Sequence, residues 1–157
     1  MKKFFFDCGT RDATASQGIL VLRVFTGLMM LVGHGIPKIH HYVALKNTFY
    51  VPDFFPLKYL SPPLSLMACT GAEVVASILI LLGLFTRPAA FLLGFSMVVA
   101  VFGAQGSAPW FISPPTVLNA KELGLLYLIP LISLIFSGGG ALSLDARLSK
   151  NGRRRRW

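Results

Sequence analysis

The chain has 157 residues, of which 54% are hydrophobic and only 13% charged, with a mean hydropathy of +0.66. Ordinary soluble domains carry about 25% charged residues, so this composition excludes a soluble fold. One bilayer span takes about 20 apolar residues of helix, so the length allows four or five spans and excludes a large extramembrane domain. Fifteen Lys and Arg against six Asp and Glu give +9, and where those charges sit decides their meaning. Cys8 and Cys69 supply neither a disulfide framework nor a zinc pattern nor the four thiolates of an iron–sulfur cluster.

In chain order, Gln17 to Ile36 is one apolar stretch interrupted only by Arg23 and His34, the first predicted span (17–36). No small-residue cleavage site follows a short apolar core, so this helix is expected to be retained as an anchor. Pro63 to Phe85 is the second (63–85), with Glu73 as its single charge. Pro88 to Gly106 is the third (88–106), and the turn Thr86-Arg87-Pro88 makes spans two and three an antiparallel hairpin. Glu122 to Ser137 is the fourth (122–137), with Pro130 inside it and Gly138-Gly139-Gly140 ending it. The reading is therefore all-α: a polytopic membrane four-helix bundle forming a single integral domain over residues 1–157.

Two longer connections, His40 to Pro62 and Ser107 to Lys121, emerge on one side. Pro52, Pro56, Pro62, Pro109, Pro114 and Pro115 punctuate them, and Tyr42, Tyr50, Phe54, Phe55, Tyr59, Trp110 and Phe111 lie along them. Such segments either anchor at the membrane interface or form a lid over a lipid-accessible site. Basic residues set the orientation. Lys2, Lys3, Arg11, Arg87, Arg147, Lys150 and Arg153 to Arg156 make ten on the side of the termini, against Lys38, Lys46, Lys58 and Lys121 opposite. The positive-inside rule places both termini in the cytoplasm. The basic tail, residues 145–157, is suited to anionic lipid headgroups. Nucleic acid is not an expected partner, because no folded basic face or stacking platform accompanies the run.

Charges inside the spans carry the functional information, since each costs about 2.5 to 3.5 kcal/mol unless it faces the bundle interior and finds a partner. Arg23, Gly27, Met30, His34 and Lys38 share one face of the first helix, and Thr70, Glu73 and Ser77 one face of the second. Pro37 threatens to break the first helix before Lys38. Helix rise puts Arg23 roughly 9 Å inside the cytoplasmic boundary, Glu73 about 18 Å and His34 about 26 Å. One arrangement is two layers, Arg23 with Glu73 inside and His34, Lys38 and Glu122 around an outward-facing pocket. Arg23 and Glu73 are then either a buried ion pair locking two helices together or part of a pocket in which Glu73 or His34 exchanges protons with a ligand. Small residues such as Gly27, Gly35, Ala72 and Ala76 suit close helix contact in either case. Cys69 reads as a small buried hydrophobe. A haem between two membrane histidines would need a second intramembrane His. No nucleotide, Rossmann-type flavin or zinc-protease motif is present. Neither a covalent cofactor nor a metal site is expected, and electron transfer would need a lipid-soluble carrier or another subunit.

The stretches GILVLRVFTGLMMLVGHGIPKI, GAEVVASILILLGLFTRPAA and GGGALSLDARL resemble the DoxX family of small four-helix membrane proteins. In that family a His-Gly pair and a Lys close the first helix, and a Glu sits midway along the second before an L-G-L-x-T-R turn. A Gly-Pro-Gly-like break precedes L-S-L-D. Arg23, His34, Gly35, Lys38, Glu73, Gly83, Thr86, Arg87, Leu142, Ser143, Leu144 and Asp145 occupy the corresponding positions, with Gly138-Gly139-Gly140 where relatives often have Gly-Pro-Gly. The resemblance implies a multi-pass protein of the bacterial inner membrane, of the type associated with quinone-linked oxidoreductases, including thiosulfate:quinone oxidoreductase subunits. The leading expectation is a redox-associated membrane subunit that binds a quinone or similar lipid-soluble ligand in a polar pocket. Glu73 and His34 are the catalytic candidates, and Arg23, Lys38, Thr70, Ser77 and Glu122 the surrounding pocket. The alternatives are a non-enzymatic membrane anchor or assembly partner for a redox or stress-defence protein, and a small-molecule transporter acting as a homo-oligomer.

Overall fold

The computed structural model describes residues 10, 12–113 and 120–148. Lys2, Lys3, Cys8, Arg11, Pro114, Pro115 and the tail from Ser149, with Arg153 to Arg156, lie outside the described residues. The first long helix, α1, is Ala13–His40. It starts before Gln17 because the Asp12 carboxylate accepts the Ala15 N–H at 2.7 Å and caps the first turn. It also runs past Pro37: at Leu31–Gly35 the backbone widens into a π turn, and α geometry resumes at Ile36–His40. A proline inside a regular helix lacks an N–H and presses on the carbonyl four residues back. The wide turn directly before Pro37 is where this helix absorbs that conflict.

A short helix, α2 (Tyr42–Leu45), opens the first connection, and the second span candidate follows as α3 (Pro62–Leu82). This helix stops three residues earlier than the apolar run, because Gly83 turns left-handed (φ +67°) and Phe85 follows at φ +49°. The next helix, α4 (Thr86–Ala104), begins at Thr86 and not Pro88, and ends in a second π turn at Ala100–Ala104. Pro88 thus sits in the first turn, where its missing N–H costs no helical bond. The last long helix, α5 (Lys121–Ser137), contains Pro130 and ends at Gly138.

Helices α1, α3 and α4, of 28, 21 and 19 residues, are long and apolar enough to cross a membrane. With 17 residues, α5 has a rise of about 25 Å. Each helix packs on the next in the order α1, α3, α4, α5, and α5 returns to α1. Met30, Ala76, Ile80, Ala89, Ala90, Leu93, Met97, Leu131 and Leu134 fill the centre. The outer surface is also apolar: Phe25, Val32, Phe91, Ile129 and Phe136 are all more than 60% exposed. Polar Arg23, Glu73, Ser77 and Asp145 are buried. Such an inside-out distribution suits a hydrocarbon environment and would be an aggregation hazard in water.

Candidate functional site

The interior polar groups separate into two clusters at different levels of the bundle. The first surrounds a cavity of about 560 Å³ whose wall includes His34, Lys38, Tyr50, Cys69, Glu73 and Gln105, with otherwise mostly apolar lining. On α3, Cys69 and Glu73 stand four residues apart and therefore on one face. Lys38 comes from α1 just beyond its π turn, and its ammonium forms an ion pair with Glu73 Oε1. The Cys69 thiol donates to the same Glu73 oxygen at 3.4 Å, and Lys38 Nζ lies 3.6 Å from Cys69 Sγ. Glu73 is 1% exposed, and its second oxygen, Oε2, is buried with no hydrogen-bond partner among the described residues. An unpaired carboxylate oxygen in an apolar wall is costly, and this one is closed off from the open cavity.

The remaining wall comes from elements that interrupt regular structure. His34 belongs to the π turn of α1 and meets Tyr127 of α5 edge to face, with ring centroids 5.2 Å apart. The second π turn, at the end of α4, contributes Ala100, Val101 and Ala104, and Gln105 follows directly. Gln105 Oε1 is also buried without a partner among the described residues. Single wide turns of this kind re-aim side chains out of helical register, and here both open onto the same cavity. The first connection closes one side through Phe49, Tyr50, Pro52, Leu57 and Leu60. The Ser65 hydroxyl holds it by donating to the Tyr50 carbonyl at 2.8 Å. Tyr50 lies so close to Gly103 that a Cβ there would come within 2.7 Å of its hydroxyl. Phe55 and Tyr59 of this segment are more than 70% exposed, so the connection both lines the cavity and presents aromatics outward.

Arg23 belongs to the second cluster, and Glu73 is not its partner. Its guanidinium donates to the carbonyls of Gly139 at 3.3 Å and Leu142 at 3.1 Å, and the carboxylate acting on it is Asp145. Asp145 itself accepts the backbone N–H groups of Phe85 and Thr86 at 2.9 and 3.0 Å and the Thr86 hydroxyl at 3.0 Å. The Asp145 N–H returns to the Gly83 carbonyl at 2.9 Å. The segment after Gly138 thus folds back onto the α3–α4 turn and onto α1, where Ser16 Oγ accepts the Ala141 N–H at 3.2 Å. Gly83 allows the approach: a Cβ on it would lie 2.7 Å from Arg23 Cζ. The described chain ends therefore meet at the end of the bundle opposite Lys38.

The other predicted site residues do not join the cavity. Ser77 is buried, and its hydroxyl, like that of Thr70, has no partner among the described residues. Thr70 faces a separate open groove beside Ile39, Met67 and Val74. Glu122 accepts the Ile112 N–H at 3.1 Å. Next to it, Lys121 donates to the Gly106 carbonyl at 2.8 Å and lies over the Trp110 ring. Lys121 and Glu122 thus tie the second connection to the start of α5. Sequence reasoning did not single out Cys69 as a polar contact, nor Tyr50 and Gln105 as lining. The i, i+4 spacing of Cys69 and Glu73 was the available signal. Among the described residues no three His, Cys, Asp or Glu gather as a metal site.

Residues 18–106 match the family model described as DoxX. The chain belongs to the DoxX family. The matched segment contains Arg23, His34, Lys38, Cys69, Glu73 and Gln105, whereas Asp145 lies beyond it. Among curated relatives, this DoxX chain is 37% identical over 105 residues to an uncharacterized protein of Haemophilus influenzae, covering 59% of this chain and 78% of that one. It is 26% identical over 147 residues to another uncharacterized protein of the same organism, covering 92% and 91%. No solved structure matches the chain.

Proposed function

We propose that this DoxX protein crosses the bacterial inner membrane four times, with both termini in the cytoplasm, and binds a quinone or similar lipid-soluble ligand as a redox-associated membrane subunit. The observation that carries the reading is the cavity of about 560 Å³ into which Lys38, Glu73 and His34 converge from two helices. Its size falls within the usual range for ligand sites, about 300–1,000 Å³, and so does its character, apolar walls with few polar groups. The ten-to-four bias of basic residues supports the orientation, and the packing of α5 between α4 and α1 supports a fourth span. Anionic headgroups at the basic tail and a separate redox protein are the partners this reading calls for.

A quinone carries two-electron, two-proton chemistry between membrane proteins. The residues suit the proton side of that chemistry. The Lys38 ammonium is a donor for a ligand carbonyl. The Glu73 carboxylate lines the cavity and can take up or release a proton. His34 sits on the same cavity as an alternative donor or acceptor. Tyr50 and the first connection screen the polar trio from one side.

The test is thermal unfolding of the purified chain in detergent with a decyl-tailed, fully substituted benzoquinone. The midpoint should rise with concentration, by the equivalent of about 2.7 kcal/mol at a hundredfold excess over Kd. Glu73→Gln and His34→Ala should weaken that rise, and an unchanged rise in both would overturn the reading. One observation favours a second role, that of anchor or assembly partner: the network around Arg23 and Asp145 lies at the end of the bundle away from the cavity and organises the segment leading into the tail.

A further inference from the structure

The contact of Cys69 with Lys38 and Glu73 is not used by reversible ligand binding. We propose that Cys69 is a nucleophile for apolar conjugated carbonyl compounds entering the cavity, with Glu73 as its base and Lys38 as the group that activates the carbonyl. Three observations carry this. The Cys69 thiol donates to Glu73 Oε1 at 3.4 Å, so a proton acceptor is already in place. Lys38 Nζ lies 3.6 Å from Cys69 Sγ. In a C=C–C=O unit the electrophilic carbon and the carbonyl oxygen are a few bond lengths apart, so one ligand can meet the thiol and the ammonium together. Independently of the cysteine, Glu73 lies on the wall of the apolar cavity with its Oε2 atom unpartnered among the described residues.

The step balances without any further reagent. The S–H bond breaks with its proton passing to Glu73, and an S–C bond forms at the β carbon. The π electrons of the C=C bond move toward the carbonyl, whose oxygen gains negative charge opposite the Lys38 ammonium. The proton then returns from Glu73 to the ligand. An unsaturated aldehyde ends as the saturated thioether aldehyde, and a quinone with an open ring position ends as the thioether hydroquinone. In both cases the ligand and thiol combine with no atom lost. The apolar cavity selects lipid-soluble electrophiles, and the two sources with this chemistry are quinone head groups and aldehydes of oxidised acyl chains. The proposal uses the cavity of the preceding reading but requires only that an apolar ligand enter it.

The test incubates the full chain in detergent with trans-2-nonenal, and separately with a decyl benzoquinone bearing a free ring position. Intact-mass and peptide analysis then follow, with Cys8 as the internal comparison. Cys69 should gain the whole mass of the probe at least about a hundredfold faster than in Glu73→Gln, the lower end of what a positioned base contributes. The rate should saturate with probe concentration and fall when the fully substituted quinone competes. Lys38→Gln should slow it as well, and circular dichroism should show both variants folded. Labelling of Cys69 no faster in the native chain than in the denatured one overturns the proposal without reliance on any variant. Labelling by nonenal but not by the open quinone assigns the site to aldehydes, and the reverse assigns it to quinones. Thermal stabilisation by the fully substituted quinone that persists while Cys69 stays unlabelled overturns the addition and leaves the binding reading standing. Labelling without such stabilisation does the opposite.

Discussion

Replacing Lys38 by Met should destabilise the bundle by about 3 kcal/mol, and the reason lies in what the change leaves behind. The Glu73 carboxylate is 1% exposed, one of its oxygens is already unpartnered, and the Lys38 ammonium is the only ion-pair partner found for it among the described residues. Removing one member of a buried pair costs about 3–5 kcal/mol, because the survivor is an uncompensated charge in a poor solvent. Two features put this site at the low end of that range: the Lys38 side chain is 21% exposed, and the Cys69 S–H remains as a donor to Glu73. Adding Glu73→Leu to Lys38→Met should recover most of the loss, since an apolar pair of similar volume replaces the ion pair at little cost. The assay is a denaturing-detergent titration followed by circular dichroism on the two single variants and the double. Arg23→Met in combination with Glu73→Gln serves as the control, and these two should add within about 0.5 kcal/mol because they share no partner. The reasoning is refuted if Lys38→Met costs less than about 1 kcal/mol, or if Glu73 couples to Arg23 and not to Lys38.

Two further predictions concern the opposite end. Gly83→Ala should cost at least about 2 kcal/mol, because φ +67° strains any residue with a Cβ and that Cβ would collide with the Arg23 guanidinium. Gly83→Asn, which tolerates the dihedral but keeps the collision, should be no better in the same unfolding titration. Arg23→Lys retains the charge but loses the fork that reaches the carbonyls of Gly139 and Leu142. It should cost about 1–3 kcal/mol, and limited proteolysis should show cleavage after Gly138 well before the helices are cut.

Much of the fold was legible because membrane helices announce themselves. Long apolar runs and one tight turn are enough to find the three helices long enough to cross a membrane, and a glycine stop the end of α5, each to within a few residues. The pairing of the charges was not legible, and the cause is geometric. Depth arithmetic from a straight 3.6-residue helix set Glu73 near the midplane and Lys38 at the outer surface, which left Arg23 as the apparent counter-charge. Gly35 on α1 lies against Val74 on α3, where a Cβ would come within 3.7 Å of the Val74 Cα. Lys38 stands three residues beyond Gly35, about 4.5 Å of rise, and Glu73 one residue from Val74 in the same direction, about 1.5 Å, so the two charges differ in level by only about 3 Å. A lysine stem leaning toward its helix N-terminus spans that gap. The π turn at Leu31–Gly35 then sets the direction in which Lys38 points. No residue pattern marks that turn apart from Pro37 immediately after it, which reads more naturally as the end of a helix than as a reason to widen one.

Arg23 was misread for a related reason. A guanidinium inside a span invites a search for a carboxylate inside another span, yet the groups it meets are carbonyls of the segment that follows the end of α5 at Gly138. Backbone carbonyls next to glycines carry no signature in a sequence, whereas Asp145 does, five residues after the last of three glycines and within an L-S-L-D run. Once Asp145 is seen to bind the turn that joins α3 to α4, the two ends of the bundle separate by chemistry. At one end Arg23 and Asp145 hold backbone, closing a turn and docking the segment after Gly138. At the other, Lys38, Glu73 and Cys69 hold one another at the wall of an apolar cavity, with a carboxylate oxygen left over. Arg23 Nε is also left unpaired at the first end, so an unpaired atom alone does not separate the two; the ligand-sized cavity beside Lys38, Glu73 and Cys69 does, which is why the search for activity belongs at the Lys38 end.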